Sequence, residues 1–177
     1  MKILNPKSYI LNSNSKGFTI IEMLVIIGTL SLISAILIIN IRSGGQQVIL
    51  FREQAKILSI LSKAKSLGVA TFGKTGVPCG YGVHFEAPST FLIFKDLAGD
   101  CQVSDKRYSG GAEIYEAFQL DPVLKFDTLT LSDVIFIPPD PSVVITPSQD
   151  EATVVIKVIK SGTSATIKIN SAGQIST

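Results

Sequence analysis

From Phe18 to Ile41 the sequence reads FTIIEMLVIIGTLSLISAILIINI, 24 residues whose only charge is Glu22. At ~1.5 Å per residue a helix of this length extends roughly 36 Å, against a bilayer hydrocarbon core of about 30 Å. The stretch is therefore expected to be a membrane-length helix. Before it, Met1 to Lys16 is polar and basic, with Lys2, Lys7 and Lys16 and no acid. Asn5, Pro6 and the run Asn12 to Ser15 discourage regular structure there, so this reads as a processing segment. The lysines ahead of the apolar run and the lone Arg42 behind it favour an N-terminus on the cytoplasmic side. A secretory signal would have a shorter apolar core, about 7–15 residues, and an A-x-A-like cut site. No such site follows here.

Working outward, Ser43-Gly44-Gly45 is a weak point, since each glycine costs a helix interior about 1 kcal/mol relative to alanine. Helical patterning then resumes from about Gln47 to Leu67. Arg52, Lys56, Ser59, Lys63 and Ser66 mark a polar face, and Leu50, Ile57, Leu61 and Ala64, with Leu58 beside them, an apolar one. That stripe needs a partner surface. After Gly73 the period changes to two: Tyr81, Val83 and Phe85 alternate with Gly82, His84 and Glu86. Further strands are expected at Thr90–Lys95, Ile114–Leu120, Leu124–Leu131, Val134–Ile137 and Val143–Thr146. Thr153–Lys160 and Thr163–Asn170 flank Ser161-Gly162 as a hairpin, and Pro138-Pro139 and Pro141 interrupt the sheet pattern. The fold expected is α+β: a long N-terminal helix, transmembrane then amphipathic, whose second half packs on a C-terminal antiparallel β-rich domain. The expected divisions are 1–17 leader, 18–44 apolar helix, 45–70 amphipathic continuation and 71–177 β-rich domain.

The junction Lys16-Gly17-Phe18-Thr19-Ile20-Ile21-Glu22-Met23-Leu24-Val25 closely resembles the prepilin signature of type IV pilin-like proteins. The resemblance implies that a prepilin peptidase cuts after Gly17 and methylates the new amine of Phe18. It implies that Glu22 meets the N-terminal cation of a neighbouring subunit during assembly. The physics is compatible: an ionisable group in an apolar span is costly and tends to have a partner, and a new α-amino group, pKa about 8, is cationic at neutral pH. The amphipathic helix, Tyr81-Gly82-Val83-His84-Phe85, Phe136-Ile137-Pro138-Pro139 and the closing run Asn170-Ser171-Ala172-Gly173-Gln174-Ile175 look like the GspH/FimT-type minor pseudopilins. Many major pilins carry a proline inside the N-terminal helix; here there is none between Phe18 and Pro78.

The resemblance thus implies a pilin-like structural subunit of a type II secretion pseudopilus or type IV pilus, not an enzyme. Its implied partners are the prepilin peptidase, other pilins or pseudopilins, an inner-membrane assembly platform and the membrane itself. The chain would be a single-pass inner-membrane protein with its C-terminal domain outside the cytoplasm, filament-associated after assembly. Two alternatives stay open: a major filament subunit, and a ligand- or DNA-binding minor pilin of a competence system. Against the DNA reading, the chain holds 16 basic and 14 acidic residues, and 13 and 14 beyond Gly17. There is no broad basic surplus for phosphate contacts. DNA-binding members of the FimT-like group use arginines near the C-terminus, and no arginine follows Arg107.

On the far side of a membrane Cys79 and Cys101 would meet oxidising conditions, so a disulfide is expected, with two buried thiols as the alternative. Gly68-Val69-Ala70-Thr71-Phe72-Gly73-Lys74-Thr75 matches the P-loop letters, but a helix precedes it where the chemistry needs a strand. His84, the sole histidine, is expected on a solvated face with Gly82 and Glu86, without a catalytic partner. Asp96, Asp100 and Asp105 do not have the spacing of an EF-hand-like calcium loop. No catalytic residue, metal or cofactor is expected.

Overall fold

A computed structural model describes residues 17–71, 78–137 and 143–177, with the backbone alone at 39–43. The leader up to Lys16, the P-loop-like letters from Phe72 on, and Pro138, Pro139 and Pro141 lie outside the described residues. The protein is α+β, with element order α1 (Ile20–Thr71), then β1 (Tyr81–Glu86), β2 (Thr90–Lys95), β3 (Ile114–Gln119), β4 (Leu124–Leu129), β5 (Asp133–Phe136), β6 (Val143–Thr146), β7 (Glu151–Val158), β8 (Ser164–Asn170) and β9 (Ile175–Ser176). A short 3₁₀ turn, Gly111–Glu113, precedes β3. Contacts divide the chain into two compact units, Met1–Arg42 and Ser43–Thr177. The division falls beside the weak point at Ser43-Gly44-Gly45. Helical backbone nevertheless runs through these residues, because two local glycine costs of about 1 kcal/mol do not outweigh propagation through a long helix.

In the first unit, Ile20–Ile38 is long and apolar enough to cross a membrane, and none of it is buried within the structure. Two of its hydroxyls are satisfied locally. Thr29 Oγ1 donates to the Ile26 carbonyl (3.0 Å) and Ser31 Oγ to the Ile27 carbonyl (2.8 Å). Such back-bonding lets a hydroxyl sit in an apolar setting without a stranded donor.

In the second unit the helix from Leu50 to Ala64 buries Leu50, Ile57, Ile60, Leu61 and Ala64. They meet the inner faces of two antiparallel sheets, of strand order β3-β2-β1-β5-β6 and β4-β7-β8-β9. Period-two alternation supplies those faces: Tyr81, Val83 and Phe85 from β1, and Ala152, Val154, Ile156 and Val158 from β7. Polar side chains at the helix flanks tie it to both sheets. Lys56 Nζ donates to the Gln119 carbonyl (2.7 Å), Lys63 pairs with Glu116, Gln54 Nε2 donates to the Thr166 carbonyl (3.1 Å), and Lys65 Nζ to the Gly173 carbonyl (3.1 Å). Glu53 is buried on the same stripe as Leu50 and Ile57, held by Lys56 (3.1 Å) and Arg52 (3.4 Å).

The β7–β8 hairpin closes two residues earlier on its first strand than the Ser161-Gly162 signal suggests. Val158 N–H donates to the Thr163 carbonyl (2.8 Å), and the Gly162 N–H to the Val158 carbonyl (2.9 Å). A longer turn results, with Gly162 at φ +74°, a conformation glycine adopts without steric cost.

The outer face of the five-stranded sheet departs from expectation. His84 does share a face with Gly82 and Glu86, but that face is not simply solvated. Leu92, Phe94 and Ile135 form a second buried cluster there, packed by Tyr108 and Ile137. The reason lies in the neighbouring strands. Phe91-Leu92-Ile93-Phe94 is an unbroken apolar run, the pattern of a strand covered on both faces.

Candidate functional site

The residues singled out for processing and assembly lie at the head of α1. Gly17, Phe18 and Thr19 precede the first helical residue, Ile20. Thr19 is the N-cap. Its carbonyl accepts from the N–H groups of Glu22 (3.1 Å) and Met23 (3.2 Å), and its hydroxyl oxygen accepts from the Glu22 N–H at 3.3 Å. This satisfies one of the orphan donors of a helix start. Glu22 is therefore the third residue of the helix, where a carboxylate faces the positive end of the helix dipole. Thr19-Ile20-Ile21-Glu22 has the T-x-x-E spacing of a capping box, a sequence signal for Thr19 that attention to Gly17 and Glu22 alone passes over.

Phe18 and Glu22 are both exposed, as are Gly17 and every side chain from Ile20 to Ile38. A Cβ placed on Gly17 would meet nothing within 4 Å among the described residues, so no contact with them requires glycine at this position. The arrangement presents a short non-helical approach at Gly17-Phe18, a capped helix start, and an acid four residues beyond the Gly17–Phe18 bond's new terminus. These groups can hold a charge pair; they contain no nucleophile with an adjacent base.

The second cluster worth weighing is His84, Asp133, Ser132 and Tyr108. His84 and Asp133 face each other across β1 and β5, with His84 Nδ1 2.8 Å from Asp133 Oδ1. Ser132 Oγ donates to Asp133 Oδ2 at 2.6 Å, and the Tyr108 N–H to Oδ1 at 3.4 Å. The Tyr108 ring lies 4.7 Å from the imidazole. Burial raises the pKa of Asp133, yet the hydrogen bonds from His84 and Ser132 outweigh it and hold the carboxyl below its ordinary 3.8. Ser, His and Asp are together here, but the serine donates to the carboxylate and not to the imidazole. The hydroxyl is thereby held by the carboxylate and not presented to the imidazole, unlike the serine of a Ser-His-Asp triad. The cluster is a satisfied polar plug in the covered outer face. The expectation of an unpartnered His84 is thus corrected: register sets it opposite an acid that sequence spacing could not place.

Cys79 and Cys101 are joined by a disulfide, Cα atoms 5.1 Å apart, which brackets the β1–β2 hairpin. The three aspartates do not converge. Asp96 is buried and accepts from Ser104 Oγ, Asp100 Oδ1 accepts from the Gln102 N–H (2.9 Å), and Asp105 Oδ2 from Ser109 Oγ (2.6 Å). Among the described residues no group of His, Cys, Asp and Glu side chains is arranged to hold a metal ion. Of the P-loop letters, Gly68 to Thr71 lie in the last turn of α1. A Cβ on Gly68 would sit 3.1 Å from the Phe136 carbonyl, so this glycine serves close helix–strand approach.

No protein-family model, curated protein or solved structure matches this chain.

Proposed function

We propose that this protein is a pilin-like filament subunit of the minor pseudopilin kind. It is made with a leader, cut after Gly17 by a prepilin peptidase that also methylates Phe18, and held in the inner membrane by its apolar helix. It is then assembled with other pilins or pseudopilins by an inner-membrane platform. Its C-terminal domain lies outside the cytoplasm, and its work is structural.

One observation carries the proposal. Gly17-Phe18-Thr19-x-x-Glu22 stands at the capped start of a helix whose described side chains through Ile38 are apolar almost throughout and wholly exposed. A helix that is apolar all round needs lipid or other protein around it. Lipid would supply that surrounding before assembly, and neighbouring helices afterwards. Glu22 then has a purpose. Cleavage creates a cation at Phe18, and in a setting of low dielectric a cation and a carboxylate from adjacent subunits attract strongly and fix the axial register between them.

The test is N-terminal mass analysis of protein expressed beside a prepilin peptidase. The expected species begins with N-methylated Phe18. An intact Met1, or a start beyond Gly45, overturns the proposal.

A further inference from the structure

The segment between β2 and β3 forms the lid of the outer-face cluster, and its attachment is unusual. Tyr108 from this segment and Ile137 from beyond β5 pack against the buried Leu92, Phe94 and Ile135. The lid contributes one large ring: Tyr108, 5.9 Å from Phe94 and 4.7 Å from His84. Its other large apolar side chains do not help, since Leu97 and Val103 are 50% and 79% exposed. Most of its polar bonds are internal. Asp100 binds the Gln102 N–H, Asp105 binds the Arg107 N–H and Ser109 Oγ, and Glu113 accepts from the Ser109 N–H at 2.7 Å. These stiffen the lid without fastening it to the sheet.

At its root the Asp96 N–H donates to the Gly80 carbonyl (3.0 Å) and the Cys79 N–H to the Asp96 carbonyl (2.9 Å); beyond that root, three fastenings hold it among the described residues. Asp96, directly after β2, takes Ser104 Oγ; Asp133 takes the Tyr108 N–H; and Cys101 is bonded to Cys79, directly before β1. Lys106 within the lid has φ +56°, a left-handed conformation that L side chains adopt reluctantly. The segment must be held to keep it. Cys101 is exposed and so open to attack by a small thiol.

We propose that the Cys79–Cys101 disulfide is a redox latch on this lid. Oxidised, it keeps the outer-face cluster covered; reduced, it frees the lid while both sheets stay folded. The chemistry needs an external dithiol. Its first thiolate attacks one cystine sulfur, the S–S bond breaks, and a mixed disulfide forms. Its second thiol displaces that bond. Cys79 and Cys101 leave as two thiols, having gained two electrons and two protons, and the dithiol becomes a disulfide. The inner core is built by α1 and the two inner sheet faces and takes nothing from the lid, which is why opening is local. The consequence is a chain that is resistant to proteolysis only where thiols are oxidised. The inference does not depend on the filament proposal.

The test compares full-length protein in detergent with and without dithiothreitol, by trypsin digestion and hydrogen exchange read by mass spectrometry. Reduction is expected to speed cleavage after Lys106 and Arg107 by roughly tenfold or more, a local opening that leaves the rest protected. Exchange should rise most across 97–113, at Leu92–Phe94 and at Ile135, with β7 and β8 far better protected than these. Cys79→Ser with Cys101→Ser should behave likewise without reductant. Unchanged cleavage in the reduced protein would overturn the latch. So would a rise in exchange at β7 and β8 as large as that in 97–113, which would make the bond a strut for the whole domain.

Discussion

Gly82 lies directly beneath the ring of Phe94: a Cβ on the glycine would sit 2.5 Å from Cε1 and Cζ of the ring, and 2.6 Å from the Val134 carbonyl. The two residues are cross-strand partners on the outer face of the five-stranded sheet. The glycine in Tyr81-Gly82-Val83 is thus explained by what packs over it, and not by a turn. Gly82→Ala should cost about 1–3 kcal/mol, the range for overpacking a filled core. Phe94→Leu in the same chain should recover only part, because the carbonyl does not move away. Urea unfolding of the single and double variants measures both.

The Asp133 carboxyl makes the outer-face plug sensitive to acid. Its pKa is held below 3.8 in the folded protein, chiefly by His84 and Ser132 acting against burial. The unfolded chain therefore binds the proton first as pH falls. Stability from this group is full above the unfolded value and is lost as pH drops below 3.8 through the folded pKa. Asp133→Asn should flatten that part of the stability profile below pH ~4. His84→Ala should cost about 1–3 kcal/mol near neutral pH, because a buried carboxylate loses a partner. Equal acid slopes for wild type and Asp133→Asn would show that the carboxyl is not the responsible group.

The disulfide closes a short loop, with a sequence separation of 22. Restricting the unfolded chain by a loop of this size predicts roughly 3 kcal/mol of stabilisation, less any strain. Thiol labelling of exported protein under denaturing, non-reducing conditions should find neither cysteine free. Two labelled cysteines would contradict the bond.

Much of this fold was legible in the sequence, where the signal is periodic. The stripe Leu50, Ile57, Leu61 and Ala64 is buried as its spacing indicates, and Tyr81, Val83 and Phe85 face the inner core. What periodicity misses is what covers the opposite face. His84 reads as solvated from its own strand; the run Phe91 to Phe94 one strand away carried the warning. Glu53 falls on the buried stripe between Leu50 and Ile57, yet an acid breaks the visible pattern, and its partners Lys56 and Arg52 read as a separate polar face. The capped start of α1 is legible because it is local, and the candidate residues Gly17, Phe18, Thr19 and Glu22 lie within six residues of one another. The pairing of His84 with Asp133, 49 residues apart, depends on strand register and has no local trace.

Processing should depend on the glycine for a reason outside the fold. Among the described residues nothing lies within 4 Å of a Cβ at Gly17. Gly17→Trp should fold normally yet retain its leader, because a bulky side chain obstructs the peptidase site. Electrophoretic mobility beside a prepilin peptidase distinguishes the two forms. Normal cleavage of Gly17→Trp would remove the glycine from the processing account.

The role proposed for Glu22 is separable from its place in the helix. Being at the third helical position, it favours the helix start, an effect of about 0.3–1 kcal/mol for a first-turn carboxylate. Glu22→Gln keeps the shape and the T-x-x-E/Q spacing while removing the charge. This variant should insert at least as well as wild type, since a costly charge is gone. Cleavage should also persist, because the Gly17–Phe18 bond is untouched. What should fail is incorporation, because the N-terminal cation of the adjacent subunit loses its counter-charge. The deciding measurement is the fraction of cleaved Glu22→Gln protein that co-purifies with sheared filaments or with partner pseudopilins. Strong loss relative to wild type is the predicted result. Recovery equal to wild type would contradict the account, showing that the charge at Glu22 is no assembly contact.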